Sequence, residues 1–558
     1  MNKHLLIFPP LWNPEVPHIA LPILSAQLNY NKFDTTVFDY NIDFFNYIYN
    51  VDFLENCLEK IKQNKSELAY KLEAYYGKNG KYKNRQLPYT YQLYKKIIEN
   101  ENSKFEEIPK LTDYALRIIK KQSTPKELAF AGEILKIANA VASVLYMPFD
   151  IDSEMILPPD FLFDGYEQVK SFVFSPNNIF KDFYNAKIKE IQNISPALIG
   201  ISIGSSSQIV AGLTLSSYLK RETNAHINIG GDYFTRIKES IPEFKDFFEL
   251  FADSISCGQG ENSIVSLAQC VAKQKSKAEV DGLIWFDKKL IENKPSSPVN
   301  ISELQYPDYS CYDLKKYFAF PNRLPLQTSS CCYWGKCTFC DCCYSNKYNE
   351  KNVDKFIDEI KFYIDNYQIR DFDMIDASVS PAFLSKFADK IIEDNISITF
   401  NFLARLEKQF TSELLIKLYR AGARKIYWGV ESVSERILTL INKGIDKENI
   451  SIILKNSAAA GIENRTFFFI GFPTETKEEA MQTVNYIISN KNIIHSSSMA
   501  IFHLGNHSII AKNPEKYGIE ILKKQNNFVP ILKYSEQAGM SDEEKLEIYD
   551  YYIENKSV

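Results

Sequence analysis

No stretch of this 558-residue sequence is apolar over anything near the roughly 20 residues that a membrane-crossing helix needs. The first apolar run, at residues 5–8, meets Pro9-Pro10 and is too short for the core of a signal peptide. A cytosolic protein without a membrane segment is therefore expected. An excess of one charge is also missing. The 65 Lys and Arg stand against 70 Asp and Glu, a net charge of −5, with the signs mixed along the chain. That excludes the basic face of a general nucleic-acid binder. There is no short internal repeat and no low-complexity tract. Cysteine is sparse except in one place: of ten, six fall between Cys331 and Cys343. Disulfides are rare in a reducing cytosol, so a dense local cluster reads first as metal binding. The scattered Cys57, Cys257, Cys270 and Cys311 read as small buried apolar residues.

The chain is 45% hydrophobic and 24% charged, the balance of a globular protein, and its length predicts two to four domains at roughly 100–200 residues each. Its first part alternates strand-like and helix-like patterns. Residues 5–8 and 35–39 are strand-like, and residues 19–28 have helical spacing. From about 50 to 190 the regular alternation gives way to a Tyr-, Lys- and Glu-rich stretch that reads mostly helical. Strand-like runs resume at 197–203, 226–229 and 253–257, with helices between and after them. Alternation of this kind predicts parallel strands with right-handed crossovers. The glycines at 230, 231, 258 and 260 fall at strand C-termini, where open α/β sheets bind ligands. Residues 1–290 are thus expected to form a doubly wound, Rossmann-like α/β domain with a helical insertion at about 50–190. Residues 291–323 show no periodicity and read as a linker. A second series of six strand–helix units follows over 324–510, which predicts a partial (β/α)6 barrel, and 511–558 reads as a helical tail. Polar residues occupy most strand ends of this series: Cys332, Asp376, Arg405, Glu431 and His503. In such barrels the loops after the strands carry the chemistry.

The cysteine cluster follows the first strand of the second series and reads Cys331-Cys332-Tyr333-Trp334-Gly335-Lys336-Cys337-Thr338-Phe339-Cys340-Asp341-Cys342-Cys343. Thiolates suit both iron–sulfur clusters and zinc. Three close thiolates on a short loop, with Gly335 allowing a tight turn, can wrap one corner of a cubane. Zinc would want a fourth ligand, and Cys342 or Cys343 could supply it.

The segment resembles the radical S-adenosylmethionine (SAM) signature, Cys-x3-Cys-x2-Cys. It is similar above all to the Cys-x-Trp-Gly-x-Cys-Thr-Phe-Cys variant of cobalamin-binding radical SAM proteins. Against the general Cys-x3-Cys-x2-Cys signature it carries one extra residue, giving Cys-x4-Cys-x2-Cys. Cys331 competes with Cys332 as first ligand, and Cys332 keeps Tyr333-Trp334-Gly335 in the family register. Downstream, Gly429-Val430-Glu431-Ser432, Asn442-Lys443-Gly444 and Gly471-Phe472-Pro473-Thr474-Glu475-Thr476 resemble family motifs in the same order, so the resemblance covers about 325–505.

The resemblance implies that Cys332, Cys337 and Cys340 ligate a [4Fe–4S] cluster with one iron open to SAM. One electron then cleaves SAM to methionine and a 5′-deoxyadenosyl radical. By the same analogy Arg405, Glu431 and Ser432 contact SAM and Phe339 stacks near its adenine. Asp376 faces SAM or substrate, or else caps the helix that follows it. The alternative for Arg405 and Glu431 is an ion pair between neighbouring strand ends. An external electron donor of the flavodoxin or ferredoxin type is implied as well.

Residues 1–290 resemble, less closely, the cobalamin-binding domain that precedes the barrel in many such enzymes. Ser202, Gly230, Gly231, Gly258, Gly260 and Glu261 are the positions matched to the corrin and its nucleotide tail. The alternative is that the glycines only make tight turns. The family's Asp-x-His-x-x-Gly motif is absent, and none of the six histidines reads as lying in a suitable loop. The expected activity is cobalamin-dependent methylation of an unactivated carbon, with methylcobalamin as methyl donor and a small molecule or peptide as substrate. A radical SAM enzyme that rearranges or crosslinks without cobalamin, and a zinc-binding interaction protein, are the alternatives.

Overall fold

Buried apolar runs fix the first sheet. Leu5, Leu6, Ile7 and Phe8 are fully buried, as are Leu198, Ile199 and Ile201, and these two runs pair in parallel as neighbouring strands. In the computed structural model, which describes residues 3–77, 87–99, 103–147, 165–244, 246–319, 322–342, 344, 347–522 and 528–556, the chain divides into two units.

The first unit comprises Met1–Val299, Gln305–Asn322 and Gln525–Val529. Its strands are β1 (His4–Phe8), β2 (Thr35–Asp39), β3 (Leu198–Ser202), β4 (His226–Gly230), β5 (Ser254–Ser256), β6 (Leu283–Asp287) and β7 (Lys289–Glu292), in the spatial order β2-β1-β3-β4-β5-β6-β7. The first five run parallel, and β6 and β7 add an antiparallel edge. The chain leaves β1 outward to β2 and returns to β3 on the other side. The β1/β3 boundary is therefore the topological switch point, where a doubly wound sheet opens a crevice at its strand C-termini. Between β2 and β3 lie the expected helices, among them Tyr40–Ile48, Val51–Gln63, Lys65–Tyr76, Ile108–Ile119, Pro125–Val144 and Ile179–Ile194. The first and last of these helices are joined by a buried aromatic group in which Tyr40 and Phe44 meet Phe183 edge-on. Residues 78–86, 100–102 and 148–164 of this insertion lie outside the described residues.

The stretch read as a linker is packed. Strand β7 ends within it, and Tyr309, Tyr312, Tyr317 and Phe318 are buried in the first unit. The Tyr317 hydroxyl donates to Asp39, and the amides of Phe318 and Ala319 donate to the carbonyls of Pro14 (3.1 Å) and Glu15 (2.9 Å). Large apolar rings without helical or strand spacing anchor this segment, which is why it shows no periodicity.

The second unit comprises Asn300–Leu304, Arg323–Lys524 and Pro530–Val558. Strand β8 (Arg323–Leu326) precedes a short antiparallel pair, β9 (Ser329–Ser330) with β10 (Asn349–Glu350). Then come β11 (Asp371–Met374), β12 (Thr399–Arg405), β13 (Ala423–Glu431), β14 (Glu463–Ile470) and β15 (Ser496–Ile501). The six long strands form one parallel sheet in the order β15-β14-β13-β12-β11-β8, with a helix after each of the first five. No pairing joins β8 to β15 among the described residues, so the (β/α)6 sheet is an open, partial barrel. Alternation assigns the faces. In β13, Ile426, Trp428 and Val430 are buried, while Lys425, Tyr427, Gly429 and Glu431 occupy the alternate positions and are only half-buried. Trp428 is fully buried, and its indole N–H donates to Asn464 Oδ1 at 2.7 Å.

The tail is only partly helical. Strands β16 (Leu504–Gly505), β17 (Ile519–Ile521), β18 (Ile531–Leu532) and β19 (Tyr534–Glu536) form two small antiparallel pairs, and a single long helix, Asp542–Asn555, follows. Tyr552 of that helix packs edge-on against Phe468 and donates to the Ser497 carbonyl at 2.7 Å, which ties the helix to β14 and β15.

Candidate functional site

The cysteine loop leaves the C-terminal end of β8 and is fastened at its entry by Asp376, just past β11. The Asp376 carboxylate is buried. It accepts the amide of Thr328 at 3.0 Å, the amide of Ser329, and the Ser329 hydroxyl at 2.9 Å. Burial raises its pKa, and these donors pull it back down. The expected cap role falls to another residue: Ser380 caps the helix Pro381–Glu393, accepting the Phe383 amide at 3.1 Å.

Further along, the loop docks on the segment after β13. Thr338 donates from its amide to the Ile441 carbonyl and from its hydroxyl to the Leu440 carbonyl, each at 2.9 Å. The Trp334 indole N–H donates to the Asn442 carbonyl at 2.9 Å, and the Asn442 side-chain amide donates to the Lys336 carbonyl at 3.1 Å. Asn442-Lys443-Gly444 is thus the dock of the cysteine loop. Gly444 has φ +70°, and a Cβ there would lie 2.6 Å from the Trp334 ring, so only glycine lets the backbone approach the indole this closely. Gly335 turns the loop with φ +60°, and Cys331 also takes a positive φ, +63°.

Cys331, Cys332, Cys337 and Cys340 are half-buried and Cys342 is exposed; Cys343 lies outside the described residues. Burial pushes the Cys337 thiol up to about 11. The Lys443 and Arg405 cations pull it down, and Cys340 and Glu431 push it up. Among the described residues, no three Cys, His, Asp or Glu side chains gather around one point as a single-ion site requires. An iron–sulfur cluster takes each thiolate on a different iron, and a set of half-buried thiols beside two cations fits that chemistry.

Two ion pairs flank the loop. Arg405 is buried, donates to Glu407 at 2.7 Å and to the Lys443 carbonyl, and stacks on the Trp334 ring at 4.0 Å. Lys443 pairs with Glu431 at 2.5 Å. The expected alternative of an Arg405–Glu431 pair does not form. Arg405 lies opposite Gly429 and pairs with Glu407, while Glu431, which follows a register shift of β13 against β14, pairs with Lys443. Glu431 itself has φ +61°, a left-handed conformation that costs a non-glycine residue about 1 kcal/mol or more and is characteristic of sites where side-chain aim matters. Ser432 is fully buried; its hydroxyl lies 3.2 Å from that of Thr483 and accepts the Ser434 amide at 3.1 Å, so it braces the strand end. Phe339 meets Phe469 edge-on at 5.0 Å. Glu407 and Lys443 had no assigned role from sequence. The available signals were a carboxylate two residues beyond Arg405 and a lysine inside a motif read only as a marker.

In the turn after β14, Glu475 staples its own loop, accepting the amides of Gly471 (2.6 Å) and Phe472 (3.2 Å) on one oxygen. Its other oxygen is buried without a hydrogen-bond partner, and burial pushes its pKa up to about 8. The folded chain keeps a proton that the unfolded chain gives up near pH 4.5. This residue's contribution therefore lowers stability as pH rises from about 4.5 to about 8, and levels off above. Glu475→Gln, which keeps one acceptor oxygen, is expected to flatten that part of the Tm-against-pH curve. An unchanged slope would mean the carboxyl is ionised throughout.

In the first unit, Ser202, Gly230 and Gly231 lie at the C-terminal ends of β3 and β4, and Gly258, Gly260 and Glu261 lie just after β5. Gly231 sits against the Ile203 carbonyl, and the Gly258 amide donates to Thr235 Oγ1 at 2.9 Å. Glu261 is in the first turn of the helix Gly260–Val271; burial raises its carboxyl, and one oxygen is buried without a hydrogen-bond partner. His18, in the loop after β1, stacks on Phe8 at 4.4 Å and meets Trp12 edge-on at 4.9 Å. Burial lowers its pKa to about 4. Its Nδ1 accepts the Ala20 amide at 3.2 Å, so in the neutral ring Nε2 carries the proton and offers no lone pair to a metal.

Residues 326–487 match the model of the radical SAM superfamily. An uncharacterized methyltransferase of Pyrococcus horikoshii is 24% identical over 309 residues, covering 53% of this chain and 65% of its own length, just under two thirds. Among solved structures, the radical SAM methyltransferase TsrM of Kitasatospora setae, with tryptophan substrate and a SAM analogue bound, superimposes with a TM-score of 0.56 at 13% identity. The match covers 94% of this chain and 79% of that one. The cobalamin-dependent SAM radical enzyme OxsB, with aqua-cobalamin bound, gives 0.51 at 18% identity, covering 66% and 59%. These two likenesses describe the fold. No helix among the described residues is long and apolar enough to cross a membrane.

Proposed function

We propose that this chain, whose residues 326–487 form a radical SAM domain, is a cobalamin-dependent methyltransferase acting on an unactivated carbon of a small molecule or peptide. The observation that carries this reading is the cysteine loop itself, set at the C-terminal end of β8 in an open (β/α)6 sheet and docked on residues 440–444. Cys332, Cys337 and Cys340 would hold a [4Fe–4S] cluster. Arg405 and Glu431 offer charge to the carboxylate and ammonium groups of SAM, Phe339 offers a ring face to its adenine, and Ser432 and Asp376 support the strand ends that carry them. When bound, the cluster supplies the electron that splits SAM into methionine and a 5′-deoxyadenosyl radical, and cobalamin supplies the methyl group.

For cobalamin, the support is the doubly wound sheet with its switch point between β1 and β3, together with the cobalamin named for OxsB. Ser202, Gly230, Gly231, Gly258, Gly260 and Glu261 would line that edge, and His18 would act as an N–H donor, leaving the cobalt without a histidine ligand. A reductant of the flavodoxin or ferredoxin type and a cytosolic location complete the reading.

Aqua-cobalamin, added during anaerobic reconstitution and followed by gel filtration, tests it. Corrin absorption eluting with the full chain is expected and, after reduction of that corrin to the Co(I) state by titanium(III) citrate, so is passage of a deuterium-labelled methyl group from SAM to it. A chain that cleaves SAM yet retains no corrin would overturn the cobalamin assignment and leave a radical SAM enzyme that works without it.

A further inference from the structure

The loop between Cys332 and Cys337 is one residue longer than the general Cys-x3-Cys signature, and both of its aromatic residues are anchored. The Tyr333 hydroxyl donates to Glu407. The Trp334 ring lies against the Arg405 guanidinium, 4.0 Å away, and against Gly444. Arg405 in turn donates to Glu407 at 2.7 Å. A single carboxylate therefore holds both the loop, through Tyr333, and the cation stacked on the loop, through Arg405. The pair is sheltered: the side chains of Arg405 and Glu407 are 4% and 15% exposed. Charges so placed are weakly screened by solvent.

We infer that Glu407 is a positioning residue that tunes the cluster site, cancelling the charge of Arg405 beside the cysteine loop and so lowering the reduction potential of the cluster. This rests on the cluster reading above. The potential of an iron–sulfur cluster follows the net charge around it, its hydrogen bonds and its exposure. One-electron reduction makes the cluster more negative, so an uncompensated cation beside it favours the reduced form. Glu407→Gln keeps an oxygen for Tyr333 and Arg405 and removes only the charge.

The test is a potentiometric titration of the anaerobically reconstituted full chain, with dithionite as the one-electron reductant and the reduced cluster read by EPR. Glu407→Gln is expected to hold as much iron and sulfide as the wild type. At a fixed potential its ratio of reduced to oxidised cluster should be about tenfold higher, a positive shift of about 59 mV for one electron. Glu407→Asp, which restores the charge, should return most of the way. Glu413→Gln, an exposed carboxylate on the helix Ser412–Ala421, should not move the potential. An unchanged potential in a fully loaded Glu407→Gln chain would overturn the inference.

If that variant loses its iron, the double variant Glu407→Gln, Arg405→Gln decides. Retention of the cluster at the wild-type potential supports charge cancellation, and loss there too shows that Glu407 serves only the fold. A wild-type chain that takes up no iron would overturn the cluster reading itself, which is a different failure.

Discussion

Replacing Cys337 by alanine is expected to abolish 5′-deoxyadenosine formation from SAM and dithionite while leaving the fold in place. The expectation has two parts. The loop is held by Thr338, Trp334 and Lys336 through backbone and indole contacts that do not involve the Cys337 thiol, so removing the sulfur leaves the dock intact. The sulfur itself has no substitute, because a cluster that loses one of three thiolates loses an anchoring iron. Cys340→Ala should behave alike. The first ligand is separated by a pair of variants: Cys332→Ala should abolish the product and Cys331→Ala should retain it, Cys331 being the residue with the left-handed backbone at the entry of the loop. Chromatography of the nucleoside and a melting curve for each variant suffice. Undiminished product from Cys337→Ala would remove that residue from the ligand set.

Asp376→Ala is expected to cost stability first and activity as a consequence. Its carboxylate satisfies two backbone amides and one hydroxyl in a buried place; truncation leaves both amides unpaired and the Ser329 hydroxyl with only the Cys331 carbonyl at 3.4 Å. At about 1–3 kcal/mol for each orphaned buried donor, the loss from the two amides is roughly 2 kcal/mol or more, concentrated at the entry of the cysteine loop. The variant should therefore melt earlier and take up less iron, and the chains that do load should have a near-normal KM for SAM. A raised KM with unchanged melting would instead make Asp376 a direct contact of SAM.

Much of the architecture was legible because strand and helix alternate so plainly. Runs such as 5–8 and 198–201 are buried throughout and carry no polar side chain, and the polar residues that end the strands stand out against them. The sites of interaction were less legible. That Arg405 and Glu431 stand on neighbouring strands was readable, but their pairing with Glu407 and Lys443 instead of with each other has no sequence signal. Glu407 acts from a loop, where no periodicity marks a residue. His18 lacks the motif that would have singled it out, and only its stacking on Phe8 at the switch point reveals it. Tyr309, Tyr312, Tyr317 and Phe318 bury themselves from short turns, so a packed segment read as a linker. The final helix was visible in sequence, whereas the paired strands before it, two or three residues long, fall below the length at which alternation can be read.

The central claim is that the loop from Cys332 to Cys340 holds an iron–sulfur cluster. The most direct measurement is the metal and sulfide content of the anaerobically reconstituted full chain, together with its visible spectrum. The account predicts iron and sulfide in equal amounts and a broad absorption toward the blue that bleaches on addition of dithionite. A colourless protein carrying zinc and no sulfide would contradict it.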